Sequence, residues 1–519
     1  MYGREQPAGA VRTSYGDGSW WEQPRFLLAL VLLAAMPLVY PQIPPLVDLP
    51  GHMGRYRVEL DLGSSRWLQQ YYGYRWAAIG NLGVDVVIRL LGPLIGLESA
   101  VKMIVLAIPL LTVAGMLWVA REVHGRIPPT ALFALPFAYG FPFLFGFVNY
   151  ALAMALALLA FGLWLRLGRL GRTKLRAFLF VPISVIIFFC HTYGWGVLGL
   201  LCFSAEAVRQ HDTGKGWVKA GLNAALQAMV MALPIVIMLA WRSDMRSGST
   251  HGWFEWGRKW EWIYSALRDR WELFDVASIA IVGLVFVIAL FSRRFALSRN
   301  LSFSALVLLA AFLIIPWTVF GSAYADMRIV PYMMAVALLA IRFRAPIDYR
   351  FGSALALLGL LFCAVRLGTN TLSLKLAADD QQAKLVALDH VPAGARVVSL
   401  VGKSCAKTWA LPRDTHLGGM VIVRRNGFSN DQWTIEGANP MSLRYRQAGI
   451  FAADPSQIVQ DNRCRGKNRW TIDRALGEIR RDRFDFVWLI DPGVYDPKLV
   501  AGMHPVWRNG TSVLYRLNP

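Results

Sequence analysis

Four stretches of this 519-residue chain place ionisable side chains where such groups are costly, and each suggests a chemistry. Asp48 stands in "LVDLPGHMGR", just after the first apolar run, with His52 four residues on. A helix starting there puts both on one face. Asp with Pro close behind is also a helix-start signal, and a capping carboxylate can still face a site. Asp85 lies among Val and Ile in "GNLGVDVVI", with Arg89 at i+4 as the obvious partner; an ion pair and a site role are equally open. Asp326 and Arg328 share "GSAYADMR", a turn between two apolar runs. An arginine there can fork onto phosphate oxygens, or it can pair with the aspartate and snorkel. His191, in "CHTYGWG", is either a ligand or a hydrogen-bonded core residue, and Asn149 and Tyr150 are weaker candidates. A carboxylate so placed can take a proton as general base, and an arginine can hold an anion.

Other chemistries have no matching pattern. The chain has no HExxH, no CxxC, no nucleophile elbow and no dinucleotide fingerprint. "VGKSC" at 401–405 lacks the glycine that a phosphate loop needs, because position 397 is Val. No cofactor is certain, although scattered carboxylates could hold a divalent cation. Of five cysteines, Cys190, Cys202 and Cys363 lie in apolar runs and read as packing residues. Cys405 and Cys464 lie in the polar tail and are the candidates for a disulfide.

The elements that must position these residues are mostly membrane spans. Hydrophobic residues make up 55% of the chain, and the excess falls in long runs rather than scattered. Eleven runs qualify, near 26–43, 97–119, 128–148, 150–167, 175–190, 193–208, 219–241, 273–292, 301–320, 328–343 and 351–370. The net charge of +21 is not a nucleic-acid signal, because basic residues cluster at every second connection. The clusters are Arg121 and Arg126; Arg166 to Arg176; Arg209, Lys215 and Lys219; Arg293, Arg294 and Arg299; and Arg342, Arg344 and Arg350. The positive-inside rule then predicts a multi-pass inner-membrane-type protein with a cytoplasmic N-terminus and a periplasmic or otherwise extracytoplasmic C-terminus. Residues 1–25 read as a flexible cytoplasmic tail, 26–370 as the transmembrane domain with a long first outer loop at 44–96, and 371–519 as a small soluble α/β domain. In that domain "ARVVSLVG", "GGMVIVRR" and "FDFVWLI" read as strands, "LKLAADDQQAKLVALDH" and "TIDRALGEIRRD" as helices, and nothing reads as catalytic. The outer connection at 241–272 carries six tryptophans, which suit the membrane interface or stacking on sugar rings.

A span leading into a long outer loop that opens with an aspartate, here "LVDLPGHMGR", resembles the GT-C class of integral membrane glycosyltransferases. Many of these also end in a soluble extracytoplasmic domain. The loop departs from well-known members in having the single Asp48 where many carry a paired "DD" or "DE". "DLPGH", "GNLGVD", "FGFVNY", "CHTYG" and "DMRIVPY" look like a bacterial group of membrane proteins often placed beside that class. The resemblance implies a polyprenyl-phosphate-sugar donor, a glycan or lipid acceptor presented outside, and inversion at the anomeric carbon. It implies Asp48 as base and Arg328 on the phosphate, with His52, Asp85, His191 and Asp326 as substrate-binding candidates. Two other readings stand beside it: a transporter or flippase for a lipid-linked substrate, and a non-catalytic envelope assembly protein that tolerates substitution of Asp48 and Arg328. No internal repeat favours the transporter.

Overall fold

The computed structural model describes residues 19–241, 248–344, 349–434, 439–464 and 470–517. Most of the expected N-terminal tail, residues 1–18, lies outside the described residues. The protein is a helical membrane protein with several apolar spans and a C-terminal mixed β-sheet region. Five helices are long and apolar enough to cross a membrane: Leu97–His124, Val148–Arg169, Thr173–Cys190, Glu272–Phe291 and the long helix beginning at Tyr349. Trp217–Met231 and Leu233–Ala240 form a further pair bent by 55°. Pro24–Leu33, Pro129–Leu144, Arg299–Ile314 and Met327–Leu339 are shorter apolar helices. Thr192–Asp212 completes the set, so each of the eleven expected runs overlaps a helix, the runs 26–43 and 301–320 only in part.

Burial sorts these helices into a centre and a shell. Val148–Arg169 is 72% buried over its apolar stretch, whereas Glu272–Phe291 is only 22% buried and shows Leu273, Leu284 and Phe291 outward. A helix that is apolar all round and exposed on most of it faces lipid, because water would make that surface costly. Pro129–Tyr139 is a 3-10 helix with every residue buried in protein, the setting in which irregular backbone is tolerated at membrane depth. Two buried ion pairs lie within the helices: Arg176 with Glu206 at 3.1 Å and Arg366 with Asp275 at 2.7 Å.

The last of the long apolar helices, Tyr349–Leu385, has 37 residues. At 1.5 Å per residue it is about 55 Å long, well beyond the roughly 30 Å hydrocarbon core. It runs unbroken past residue 371, where the change to soluble character is expected, and so carries the chain from membrane to sheet on one rigid element.

The sheet centres on Arg396–Lys403, which pairs in parallel with Phe428–Ser429, Ile458–Gln460 and Phe486–Ile490. Ser512–Arg516 continues it antiparallel to Phe486–Ile490, and His504–Asn509 forms the edge. Every residue of Phe486–Ile490 is buried, as a strand covered on both faces must be. "GGMVIVRR", expected as a strand, is instead the helix Gly419–Arg425, ended by Asn426 at a left-handed φ of 50°. A short apolar run cannot tell strand from buried helix by periodicity alone, and here packing against the helix Leu49–Asp61 decides. Gly419 makes that packing close: a Cβ there would lie 2.4 Å from the Pro50 carbonyl oxygen. The first loop also enters the C-terminal region as a strand, with Tyr72–Tyr74 antiparallel to Met441–Leu443. Cys405 and Cys464 form a disulfide with their Cα atoms 5.1 Å apart.

Candidate functional site

The first loop, the ends of several membrane helices and the C-terminal region enclose a cavity of about 1130 Å³. Asp48, His52, His191 and Arg328 all line it, although the chain separates them widely. Asp85 and Asp326 do not.

Asp48 is set by its backbone. Its N–H donates to the Phe145 carbonyl at 3.0 Å, and Val47 N–H donates to Leu144. This approach requires Gly146, whose φ is +100° and whose absent Cβ would sit 2.6 Å from the Asp48 nitrogen. Asp48 occupies the N-cap position of Leu49–Asp61, yet its side chain accepts no capping hydrogen bond. The carboxylate is thereby left for the cavity. Burial pushes its pKa well above the ordinary carboxylate value, the nearby Asp454 carboxylate pushes it further, and the Arg328 cation partly opposes them. His52 follows on the same helix, its ring 5.0 Å from that of Trp433. Burial, then the Arg55 cation and the neighbouring His416 ring, holds its pKa well below the ordinary imidazole value.

Arg328 stands across the cavity. It is 6% exposed, and its guanidinium packs among the rings of Phe147, Tyr193 and Tyr150, at 4.4, 5.0 and 5.8 Å from their centres. Its donors reach only the Ala323 carbonyl at 3.3 Å and the neighbourhood of His191, while its Nε has no hydrogen-bond partner among the described residues. His191 Nδ1 accepts from the Tyr193 N–H at 3.1 Å, so the neutral ring carries its proton on Nε2. That Nε2–H lies 3.4 Å from Arg328 Nη1. Two donors face one another with no acceptor between them, an arrangement suited to an anionic oxygen.

The remaining sequence candidates have structural partners. Asp85 is fully buried and pairs with Arg55 at 2.8 Å, not with Arg89, which is exposed. A desolvated carboxylate gains more from a buried guanidinium than from one in solvent. Asn149 ties this pair to the rest of the loop, donating to Asp85 at 3.2 Å and to the Asn81 carbonyl at 2.8 Å. Arg55 and Asn149 both reach the cavity wall, so Asp85 supports the wall from behind. Asp326 accepts from Lys259 at 3.2 Å, from Trp262 Nε1 at 3.1 Å and from the Met327 N–H at 2.9 Å. It pins the helix Trp256–Tyr264 to the turn that carries Arg328, and Trp262 is the residue of this group that lines the cavity.

The sequence reading missed the wall supplied by the C-terminal region. His416, Asp454, Trp433, Lys403 and Arg413 all line the cavity. His416 Nε2 lies 3.8 Å from Asp48 Oδ1 and 3.9 Å from Asp454 Oδ1. Neither "DTHLGG" nor "AADPSQ" has a local spacing that points to chemistry. Among the described residues no group of three or more His, Cys, Asp or Glu side chains could hold a metal ion.

No family model matches the sequence, and no curated protein matches it. A solved structure shares its fold. ArnT from Cupriavidus metallidurans bound to undecaprenyl phosphate aligns over 97% of this chain and 98% of its own, with a TM-score of 0.50 and 12% sequence identity. The same protein in the apo state aligns over 95% and 97%, with a TM-score of 0.46 and 11% identity. The chain therefore has the fold of ArnT, a GT-C membrane glycosyltransferase.

Proposed function

We propose that this protein, which has an ArnT-type fold, transfers a sugar from a polyprenyl-phosphate donor to an acceptor hydroxyl, with inversion. The observation that carries this reading is that Asp48, a buried carboxylate free of capping, and Arg328, a buried cation with no carboxylate partner among the described residues, line one cavity. The ArnT structure with undecaprenyl phosphate adds that this fold can hold a lipid phosphate.

In this reading the donor's lipid tail lies between apolar helices, and its phosphate rests against Arg328 and the Nε2–H of His191. Asp48 takes the proton of the acceptor hydroxyl as its oxygen attacks the anomeric carbon. The bond from that carbon to the phosphate oxygen breaks, and its electron pair leaves with the phosphate. Arg328 and His191 stabilise the charge that develops there, a contribution typically worth about 10²–10³ in rate. The low-dielectric wall of Phe147 and Tyr150 strengthens that interaction. Asn81, on the cavity wall, offers hydrogen-bonding groups to sugar hydroxyls.

The cavity opens on the extracytoplasmic side of the inner membrane, with the N-terminus in the cytoplasm. Two observations support that orientation: the alternating basic clusters, and the Cys405–Cys464 disulfide, which persists in oxidising compartments. The acceptor is then a glycan or lipid of the cell envelope.

Reconstitution with labelled polyprenyl-phosphate sugars and envelope acceptors tests the reading. Wild type should transfer label, and Asp48→Asn should lose about 10²–10⁴ in kcat at unchanged expression. Because the Asp48 pKa is raised, the wild-type rate should fall with acidification well above pH 4. Full activity in Asp48→Asn would remove Asp48 as base.

A further inference from the structure

His416 and Asp454 reach the same cavity from the C-terminal region, and the step written above does not use them. We propose that His416 is the second proton carrier of the site: it takes from Asp48 the proton that Asp48 has taken from the acceptor, and Asp454 stabilises the imidazolium so formed. The proposal rests on the transferase reading.

The geometry fixes what His416 can do. The side chain is 4% exposed. Its Nδ1 lies 3.2 Å from the Asp431 carbonyl oxygen, which can only accept, so Nδ1 carries a proton and the neutral ring presents a lone pair at Nε2. Facing that lone pair are the Oδ1 atoms of Asp48, at 3.8 Å, and Asp454, at 3.9 Å. Three acceptors therefore converge, and among the described residues only Gln457 Nε2 donates to any of them, to Asp454 Oδ1. A proton or a hydroxyl-bearing ligand placed among them relieves their mutual repulsion. Trp433 holds the ring in register, with centroids 4.4 Å apart, and Gln457 Nε2 fixes Asp454 Oδ1 at 2.7 Å.

The proton balance closes without any redox partner. The acceptor O–H proton passes to Asp48 as the new C–O bond forms, and the phosphate departs with the electron pair of the broken bond. Asp48 passes the proton to Nε2 of His416 and becomes a carboxylate again. The imidazolium lies between two carboxylates and donates through Nδ1 to the Asp431 carbonyl, then releases its proton to water. The titratable groups around His416 are Asp48, at the start of the first-loop helix, Asp454 from the C-terminal region, and His52 beyond Trp433; Arg328 acts on Asp48 from across the cavity. Burial lowers the His416 pKa while Asp454 and the Asp431 carbonyl raise it. Removing Asp454 must therefore weaken proton binding at His416, and Asp48, 3.8 Å from Nε2, adds to that binding when ionised.

The test uses the full chain in nanodiscs, with nitrogen-15 histidine for NMR titration and labelled polyprenyl-phosphate sugar for turnover. His416 should show the Nδ1–H tautomer, and Asp48→Asn and Asp454→Asn should each lower its proton affinity about tenfold. His416→Asn, which keeps a donor for the Asp431 carbonyl, should lose about 100-fold in kcat with the donor KM within about twofold, and its acidic limb should move. His416→Gln repeats the measurement should the first variant misfold. A His416 titration indifferent to both carboxylates, or wild-type turnover in His416→Asn, overturns the relay. Wild type inactive on every donor overturns the transferase reading and the relay with it, whereas an active wild type beside an unaffected His416→Asn overturns the relay alone.

Discussion

Replacing Arg328 by Met should stabilise the ligand-free protein and abolish its response to lipid phosphate. Arg328 is 6% exposed, forms no carboxylate pair among the described residues, and leaves its Nε without a partner. A buried unpaired cation costs several kcal/mol. Contacts with the faces of Phe147, Tyr193 and Tyr150 offset that by about 0.5–2 kcal/mol each. Those contacts return about 1.5–6 kcal/mol together, so Met, which keeps the volume and contacts the same rings, releases at most about 3 kcal/mol. Thermal unfolding in nanodiscs should show an upward shift of a few degrees for Arg328→Met without ligand. Adding polyprenyl phosphate at about 100 times its Kd should stabilise wild type by about 2.7 kcal/mol and leave the variant unmoved. Its kcat/KM should fall about 10²–10³. A variant that keeps the wild-type response to lipid phosphate would refute the assignment of Arg328 to the phosphate. A variant less stable than wild type by several kcal/mol would show that the guanidinium is a structural element.

Three further perturbations follow from named contacts. Asp431 is fully buried, with one carboxylate oxygen accepting from Ser429 and Gln432 and the other without a hydrogen-bond partner among the described residues; burial raises its pKa to about 7. The folded state therefore binds this proton more tightly than the unfolded chain, so stability is present below about pH 4 and is lost as pH rises towards 7, by up to about 4 kcal/mol. Asp431→Asn should flatten the acid-to-neutral slope of a pH series of unfolding midpoints, and an unchanged slope would count against it. Gly146→Ala should cost more than about 1 kcal/mol and slow turnover, since the residue has φ +100° and its Cβ would strike the Asp48 backbone; a variant with wild-type kcat would separate the turn from the base. Cys464→Ser opens a loop spanning 59 residues, for which chain entropy gives a loss of about 4 kcal/mol. Because Lys403 and Leu411, on either side of Cys405, lie on the cavity wall, acceptor KM should rise more than donor KM.

Much of the architecture was legible in the sequence because it depends on windows of about 20 residues. A run of that length without charge is helical in a membrane wherever it packs, since only internal hydrogen bonding satisfies its backbone there. The same local logic flagged Asp48, His191 and Arg328, polar residues stranded at the ends of apolar runs. What tertiary structure alone decided is which of these groups meet and what each faces. Asp85 turned to Arg55 rather than to Arg89, four residues away, because the buried cation lies on a different helix. "GGMVIVRR" became helix because it packs on the first-loop helix, a contact its own residues do not announce. His416 and Asp454 join Asp48 only after the long helix from Tyr349 has carried the C-terminal region back over the cavity. Hydropathy is a property of a segment, whereas a proton-sharing cluster is a property of distances between segments, and those are set by packing.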